Sequence, residues 1–126
     1  MDNERGRLRE LNRRLFALHG LLVDRERRAW EDRHGPVGSR ELLNLLITHA
    51  HFAWLRSLSG LMARIDEILD TDERIADADA QSVLRESQWL LKSGDSGAFQ
   101  DKYRDALQES PDVVIAHAKV SAILRQ

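Results

Sequence analysis

The sequence predicts an all-α protein, an antiparallel bundle of four main helices with one additional short helix. Apolar residues recur at steps of three and four along most of the chain, which is the spacing of a helix face. Glycine-containing breaks at 34–38 and 93–97 and an acidic turn at 70–73 divide that pattern, and the short connections favour antiparallel neighbours. The 126 residues are expected to form one domain, 1–126, with a single core.

The first helix is predicted over residues 4–33. Its apolar stripe is narrow and consists of Leu8, Leu11, Leu15, Leu18, Leu22 and Ala29. Gly20 lies inside this run and weakens the helix by roughly 1 kcal/mol relative to alanine. We therefore expect a bend or a close helix contact at Gly20.

The second helix is predicted from Arg40 to Leu69, with Ser39 as its N-cap. Its first half is a charge-free stretch of fourteen residues, Leu42 to Leu55, whose large apolar side chains point in nearly every direction. Such a helix must be covered on several sides, either inside a bundle or by a second subunit. We expect one face to meet the chain's own core (Leu43, Ile47, Ala50, His51 and Trp54) and the other to meet another helix or a second copy (Leu42, Leu45, His49 and Phe52).

Three further elements follow the acidic turn. A third helix runs to about Lys92, with Ala76, Ala80, Val83, Leu84, Ser87, Leu90 and Leu91 as its stripe. A short helix carries Phe99, Tyr103, Ala106 and Leu107. Ser110 and Pro111 then form a cap followed by a proline at the first helical position, which begins a last helix ending near Leu124.

Composition restricts the setting and the partners. The chain has no cysteine, so it has no disulfide or thiolate chemistry. No secretory signal is visible, and fourteen uncharged residues are too few to span a bilayer, so we expect a cytoplasmic protein without a membrane partner. Sixteen arginines against three lysines suggest a bacterial, GC-rich source.

The charge layout does not favour nucleic acid. Residues 1–40 carry ten arginines against seven acids, and residues 66–112 carry thirteen acids against five bases. The acidic middle repels phosphate backbones and the basic segment is interleaved with acids. An RNA partner at Arg13, Arg14, Arg27 and Arg28 is therefore the third hypothesis, which predicts salt-dependent binding.

The candidate interface lies on one face of the charge-free stretch and consists of Leu42, Leu45, His49, Phe52 and Arg56. If that face meets a symmetry mate, His49 lies at a dimer seam, where its protonation would modulate association. The alternative is a half-exposed His49 beside Arg56 with no role as a switch. We expect a homodimer or another protein partner.

A second candidate site uses histidines from three predicted helices, His19, His51 and His117. Imidazoles that converge inside a bundle bind metals or haem. The alternative is that each ring bonds to a backbone carbonyl or to water. His49 and His51 point about 200° apart on a helix and cannot share one ion. No cofactor is predicted.

Catalytic patterns are absent from the sequence. It has no phosphate-binding glycine loop, no Gly-x-Ser-x-Gly elbow and no His-Glu-x-x-His pair. We therefore expect a protein that acts through protein–protein interaction or self-association and is not an enzyme. The competing hypothesis is a ligand-binding or metal-binding bundle that uses the inward histidines.

Overall fold

The structure, a computed structural model, describes residues 3–126, and this range contains six α-helices, one 3-10 helix and no strand. The α-helices are α1 (Asn3–His34), α2 (Ser39–Thr48), α3 (Arg56–Leu69), α4 (Asp77–Lys92), α5 (Ala98–Glu109) and α6 (Pro111–Leu124). The 3-10 segment, Ala50–Leu55, lies between α2 and α3. The all-α helical bundle predicted from the sequence is confirmed.

Helix α1 is the spine of the bundle. The five leucines of its stripe, from Leu8 to Leu22, are 0% exposed, and the helix packs against α3 and α6. Arg5 near its start donates to the Leu69 carbonyl at the end of α3, while Asn12, about two turns later, donates to the earlier Met62 carbonyl. The two helices therefore run antiparallel.

Two local expectations for the first third of the chain are wrong. Helix α1 continues through Gly20, and a Cβ atom placed there would have no atom of another element within 4 Å, so the close helix contact expected there is absent. Gly38, in an extended conformation, precedes α2, and Ser39 is the first helical residue rather than the cap. Gly35, the first residue after α1, has a φ of 85°, a conformation that glycine adopts without strain.

The predicted continuous helix from Arg40 to Leu69 is also wrong, because the chain breaks at His49. This residue has φ -91° and ψ 139°, and the 3-10 segment that follows turns Phe52, Trp54 and Leu55 into the core. Ile47 and Thr48 precede the break, and β-branched residues lower helix propensity. The Thr48 hydroxyl donates to the Asn44 carbonyl, which closes the last turn of α2.

Arginines bind the carbonyl ends of three helices. Arg5 lies at the end of α3, Arg7 at the end of α6, and Arg56 at the end of α2. Helix C-termini expose unpaired carbonyl groups with partial negative charge, so a guanidinium with several donors satisfies them well. These contacts join distant elements of the chain, since Arg7 reaches the Gln126 carbonyl at 2.8 Å.

The hydrophobic core is shared by every helix except α2. Its largest side chains with almost no exposure come from α1, the 3-10 segment, α3 and α6. The predicted stripe of α4 is buried from Ala80 to Leu91, whereas Ala76 precedes the helix and is exposed. Within the described part of the chain, no helix combines the length and the apolar character needed to cross a membrane.

Candidate interaction site on α2

Helix α2 exposes an unusual amount of apolar surface. Five of its ten residues are leucine or isoleucine, yet none of the ten is buried. Leu43 and Ile47, one turn apart on the same face, are 59% and 63% exposed. The described helix therefore presents a pair of aliphatic side chains to its surroundings, which we call the α2 patch (Leu43 and Ile47).

The opposite face holds α2 on the bundle. Leu42, Leu45 and Leu46 are partly buried and pack against the core. The Arg56 guanidinium binds the Leu46 carbonyl from Nε at 3.2 Å and the His49 carbonyl from an Nη atom at 3.2 Å. Helix α2 is thus attached through one partly buried face and through its C-terminal end.

His49 forms the joint between α2 and the 3-10 segment. Its Nδ1 accepts a hydrogen bond from the backbone N–H of His51 at 3.0 Å. Its carbonyl accepts from the backbone N–H of Phe52 at 3.1 Å and from Arg56. The side chain of His49 therefore caps the 3-10 segment, and its main chain starts the turn.

Three histidines surround Trp30 at this end of α1. The ring of His34 stacks on the indole with centroids 3.8 Å apart, the His49 ring meets it edge-on at 4.5 Å, and the His51 ring lies at 5.6 Å. His51 Nε2 also lies 2.9 Å from the Glu26 carboxylate, whose side chain is 11% exposed. Because ring contacts of this kind add attraction beyond burial, the cluster fixes the joint against α1.

Some of the predicted interface residues are buried in the chain's own core and others are exposed. Leu42 and Leu45 face the chain's own core, and Phe52 is 0% exposed, so Phe52 is not available to a partner. Only His49 and Arg56 of that set are exposed. Leu43 and Ile47, expected to face the core, form the exposed patch, whereas Trp54 of the same expected face is 7% exposed and lies in the core.

The break at His49 explains the interchange. A single straight helix relates residues 42–55 by one fixed rotation of about 100° per residue, so residues assigned to one side remain there. An extended residue at His49 and a 3-10 turn reset that rotation. The two ends of the charge-free stretch consequently bury different sets of side chains.

The three candidate ligand histidines do not form a metal site. Within residues 3–126, no group of three or more histidine, aspartate or glutamate side chains is placed to hold a metal ion. His51 pairs with Glu26, and His117 Nδ1 lies 2.7 Å from the Tyr103 hydroxyl. His19 makes no hydrogen bond, ion pair or ring contact within the described chain, so the expectation that the three histidines converge is wrong.

Burial sets the protonation of the Tyr103–His117 pair. It raises the pKa of the Tyr103 phenol, so the hydroxyl stays protonated, and it lies 2.7 Å from His117 Nδ1. Burial of the ring and the nearby positive charge of Lys92 lower the pKa of His117. Burial also lowers the pKa of His19. The Tyr103–His117 hydrogen bond joins α5 to α6.

Trp30 and His34 were missed as members of the cluster, although both were visible as the end of the first helix. Trp30 lies eight residues after Leu22, which follows the spacing of a helix face, and His34 lies one turn further. The contact of this pair with His49 and His51 depends on the turn at His49. No proline or glycine in the sequence marks that turn.

A shallow groove between α1 and α6 is another partly apolar surface. Its volume is about 270 Å³. Ile115 lies in it with 56% of its surface exposed, and the remaining lining comes from Arg14, Ala17, Leu21, Asp112, Ala116 and Lys119. Charged side chains are interleaved with the apolar ones here, unlike the aliphatic pair on α2.

No protein-family model matches the chain, and comparisons with curated proteins and with solved structures found no significant match. The α2 patch and the joint at His49 therefore supply the arguments about function.

Proposed function

We propose that this protein acts through protein–protein interaction, with α2 as its docking helix and a second copy of the chain as its partner. The observation that carries the proposal is the α2 patch: two large aliphatic side chains, one turn apart, are more than half exposed on a helix that buries none of its residues. A cytoplasmic setting, expected from the composition, belongs to the same proposal.

Burial of the α2 patch supplies the favourable free energy of association. Full burial of a leucine or isoleucine is worth roughly 1.5–3 kcal/mol relative to exposure. In a two-fold dimer each residue is covered by the same surface of the other copy, so two α2 helices bury four such side chains at one seam. A patch of this size supports a reversible dimer, because association also costs translational and rotational entropy.

Charge favours an antiparallel pair of α2 helices. Arg40 lies near the N-terminal end of α2, one turn before Leu43 and within about 60° of it around the axis. Arg56 binds the Leu46 and His49 carbonyls at the C-terminal end of α2, and the last turn contains no basic residue of its own, so the partial negative charge of that end is shared between Arg56 and any further cation. When two helices pair about the middle of the patch, Arg40 of each copy lies beside the C-terminal end of the other.

Sedimentation velocity or light scattering across the micromolar range tests the dimer. The wild-type mass should rise above the 14.5 kDa monomer as concentration increases, whereas a Leu43→Glu/Ile47→Glu variant should remain monomeric. Ile115→Glu is the matched control, because Ile115 is similarly exposed, at 56%, in the α1–α6 groove. Circular dichroism should show that all three proteins remain helical.

Two results would remove the proposal. One is a wild-type protein that remains monomeric up to about 100 µM, where even weak specific dimers populate. The other is an Ile115→Glu variant that loses association as completely as the double variant, which would place the contact elsewhere.

The Arg40→Glu variant then tests the orientation of the two α2 helices. An antiparallel pair predicts that this substitution weakens the dimer about three- to tenfold.

A further inference from the structure

The outer face of α2 carries one uncharged polar residue beside the α2 patch. Arg40, Leu43, Asn44 and Ile47 follow the spacing i, i+3, i+4 and i+7, which places them on one face of a helix, and all four are exposed. Within residues 3–126 the side-chain amide of Asn44 makes no hydrogen bond, whereas its backbone carbonyl accepts from Thr48 Oγ1 at 2.7 Å. Any helix that covers Leu43 and Ile47 therefore also meets a free amide.

An amide is self-complementary across a two-fold axis. It carries a donor, Nδ2, and an acceptor, Oδ1, so two copies of one asparagine side chain form reciprocal hydrogen bonds. In a two-fold dimer, a residue near the axis meets the same residue of the other copy. An amide that is covered by an aliphatic surface has no such partner, and its burial is unfavourable. A second copy of α2 thus suits Asn44 better than a purely apolar helix does.

The proposed antiparallel pair brings the two Asn44 side chains together. When the helices pair about the middle of the α2 patch, Leu43 of one copy lies opposite Ile47 of the other, and the two Asn44 residues are offset by about 3 Å along the axis. An apolar seam would equally permit the register in which the two Ile47 side chains meet. That register separates the Asn44 residues by about 9 Å along the axis and leaves each amide without its partner.

We propose that Asn44 determines the register of the α2 pair and selects a second copy of the chain as partner, through amide–amide hydrogen bonds across the two-fold axis. A single asparagine within an apolar helix seam is known to specify register at a cost in affinity. Arg40 then determines orientation, and Leu43 and Ile47 supply the apolar contact. This assignment of Asn44 rests on the proposed function.

Charges placed at position 44 test whether the two copies meet there. Asn44→Asp alone and Asn44→Lys alone should each weaken the dimer at least tenfold, because like charges lie together at the seam. An equimolar mixture of the two variants should form a heterodimer at least tenfold tighter than either homodimer. Sedimentation velocity of each variant and of the mixture measures the difference, and recovery on mixing shows that both variants are folded.

The matched control for the mixing experiment is exposed Gln81 on α4. Gln81→Asp and Gln81→Lys introduce the same pair of charges away from α2. Each variant should dimerise as the wild type does, and mixing them should produce no gain. A gain at position 81 equal to that at position 44 would show that the response comes from overall charge.

Replacing the amide by a leucine separates register from affinity. Asn44→Leu should tighten association about tenfold and permit several registers, because an apolar side chain does not distinguish among apolar neighbours. Spin labels at an introduced Ser57→Cys report the register, since the chain has no other cysteine. Pulsed electron paramagnetic resonance should give one narrow distribution of distances between copies for the labelled parent and several distances for Asn44→Leu.

Glu41→Leu is the control for the added leucine. Glu41 is exposed on the same helix but lies about 120° from Ile47 around the axis, outside the proposed seam. The distribution of distances in Glu41→Leu should therefore remain as narrow as in the labelled parent. A broad distribution in this control would show that any added leucine disturbs the pairing.

The role of Asn44 is overturned if the Asn44→Asp and Asn44→Lys mixture associates no better than the separate variants, or if Asn44→Leu keeps the single distance of the parent. With a wild-type dimer that depends on Leu43 and Ile47, either result leaves the proposed function standing. A wild type that stays monomeric removes both the proposed function and the role of Asn44.

Discussion

The two halves of the charge-free stretch are both rich in apolar residues, but their burial is opposite. In α2 no residue is buried, and Leu43 and Ile47 are more than half exposed. In the 3-10 segment, Phe52, Trp54 and Leu55 are at most 7% exposed and belong to the core. The absence of charge therefore predicts a surface that needs covering, but it does not say whether the chain itself provides the cover.

The largest expected effect comes from truncating one side chain in each half of the stretch and comparing the losses of stability. Phe52→Ala should cost about 3–5 kcal/mol of unfolding free energy, because it empties a fully buried site. Leu43→Ala should change the same quantity by less than about 0.5 kcal/mol, since the side chain is mostly exposed in the monomer. Urea unfolding of both variants, at a concentration where the parent is monomeric, measures the difference. Similar losses would mean that α2 contributes to the core as strongly as the 3-10 segment.

A smaller effect is expected at the link between the halves. Arg56→Ala leaves the Leu46 and His49 carbonyls without their guanidinium partner, and should cost about 1 kcal/mol. Arg85→Ala is the control, because exposed Arg85 bonds weakly to the Gln81 carbonyl of its own helix at 3.4 Å. Thermal unfolding compares them. Equal melting temperatures for the two variants would show that the end of α2 is not held by Arg56.

The smallest expected effect is the change of the free energy of unfolding with pH. Burial lowers the pKa of His19 and His117 from the ordinary 6.5. The unfolded chain therefore binds more protons than the folded chain as pH falls below about 6.5, so these groups reduce global stability there. Full stability is present above that pH. Both rings are partly exposed, so we expect each contribution to remain below about 1 kcal/mol.

Replacing these two histidines tests whether they lower the stability of the protein as pH falls. His117→Gln retains an acceptor for the Tyr103 hydroxyl, and His19→Gln retains a polar side chain. Each should make the stability measured in urea decline less between about pH 7 and pH 5 than it does in the parent. A steeper decline in either variant would contradict the burial of a neutral ring.

The sequence predicts most of the bundle because periodic leucines leave little choice. The leucine stripe of α1, the stripe of α4 from Ala80 to Leu91, and α6 from Pro111 to Leu124 are found where the spacing places them. The Ser110 hydroxyl accepts from the Val113 N–H at 3.3 Å, as its cap position predicts. In these segments local propensity and burial agree.

The joint at His49 could not be predicted, because the groups that stabilise it come from other elements. Helix periodicity continues formally through residues 42–55, and no proline or glycine marks the break. The turn is held by the His49 side chain, by Arg56 and by the ring of Trp30 on α1. Contacts between distant residues override local propensity here, and the assignment of faces on both sides of the break depended on them.

The independence of α2 from the core has a consequence for how this protein changes over evolution. Substitutions at Leu43 and Ile47 escape the packing constraints that act on Phe52 or Leu58, because the bundle folds without those two side chains in its core. On the proposed function, selection at positions 43 and 47 acts through the partner that covers them. Related sequences that differ in partner should then differ most in α2, while the residues of the core change slowly.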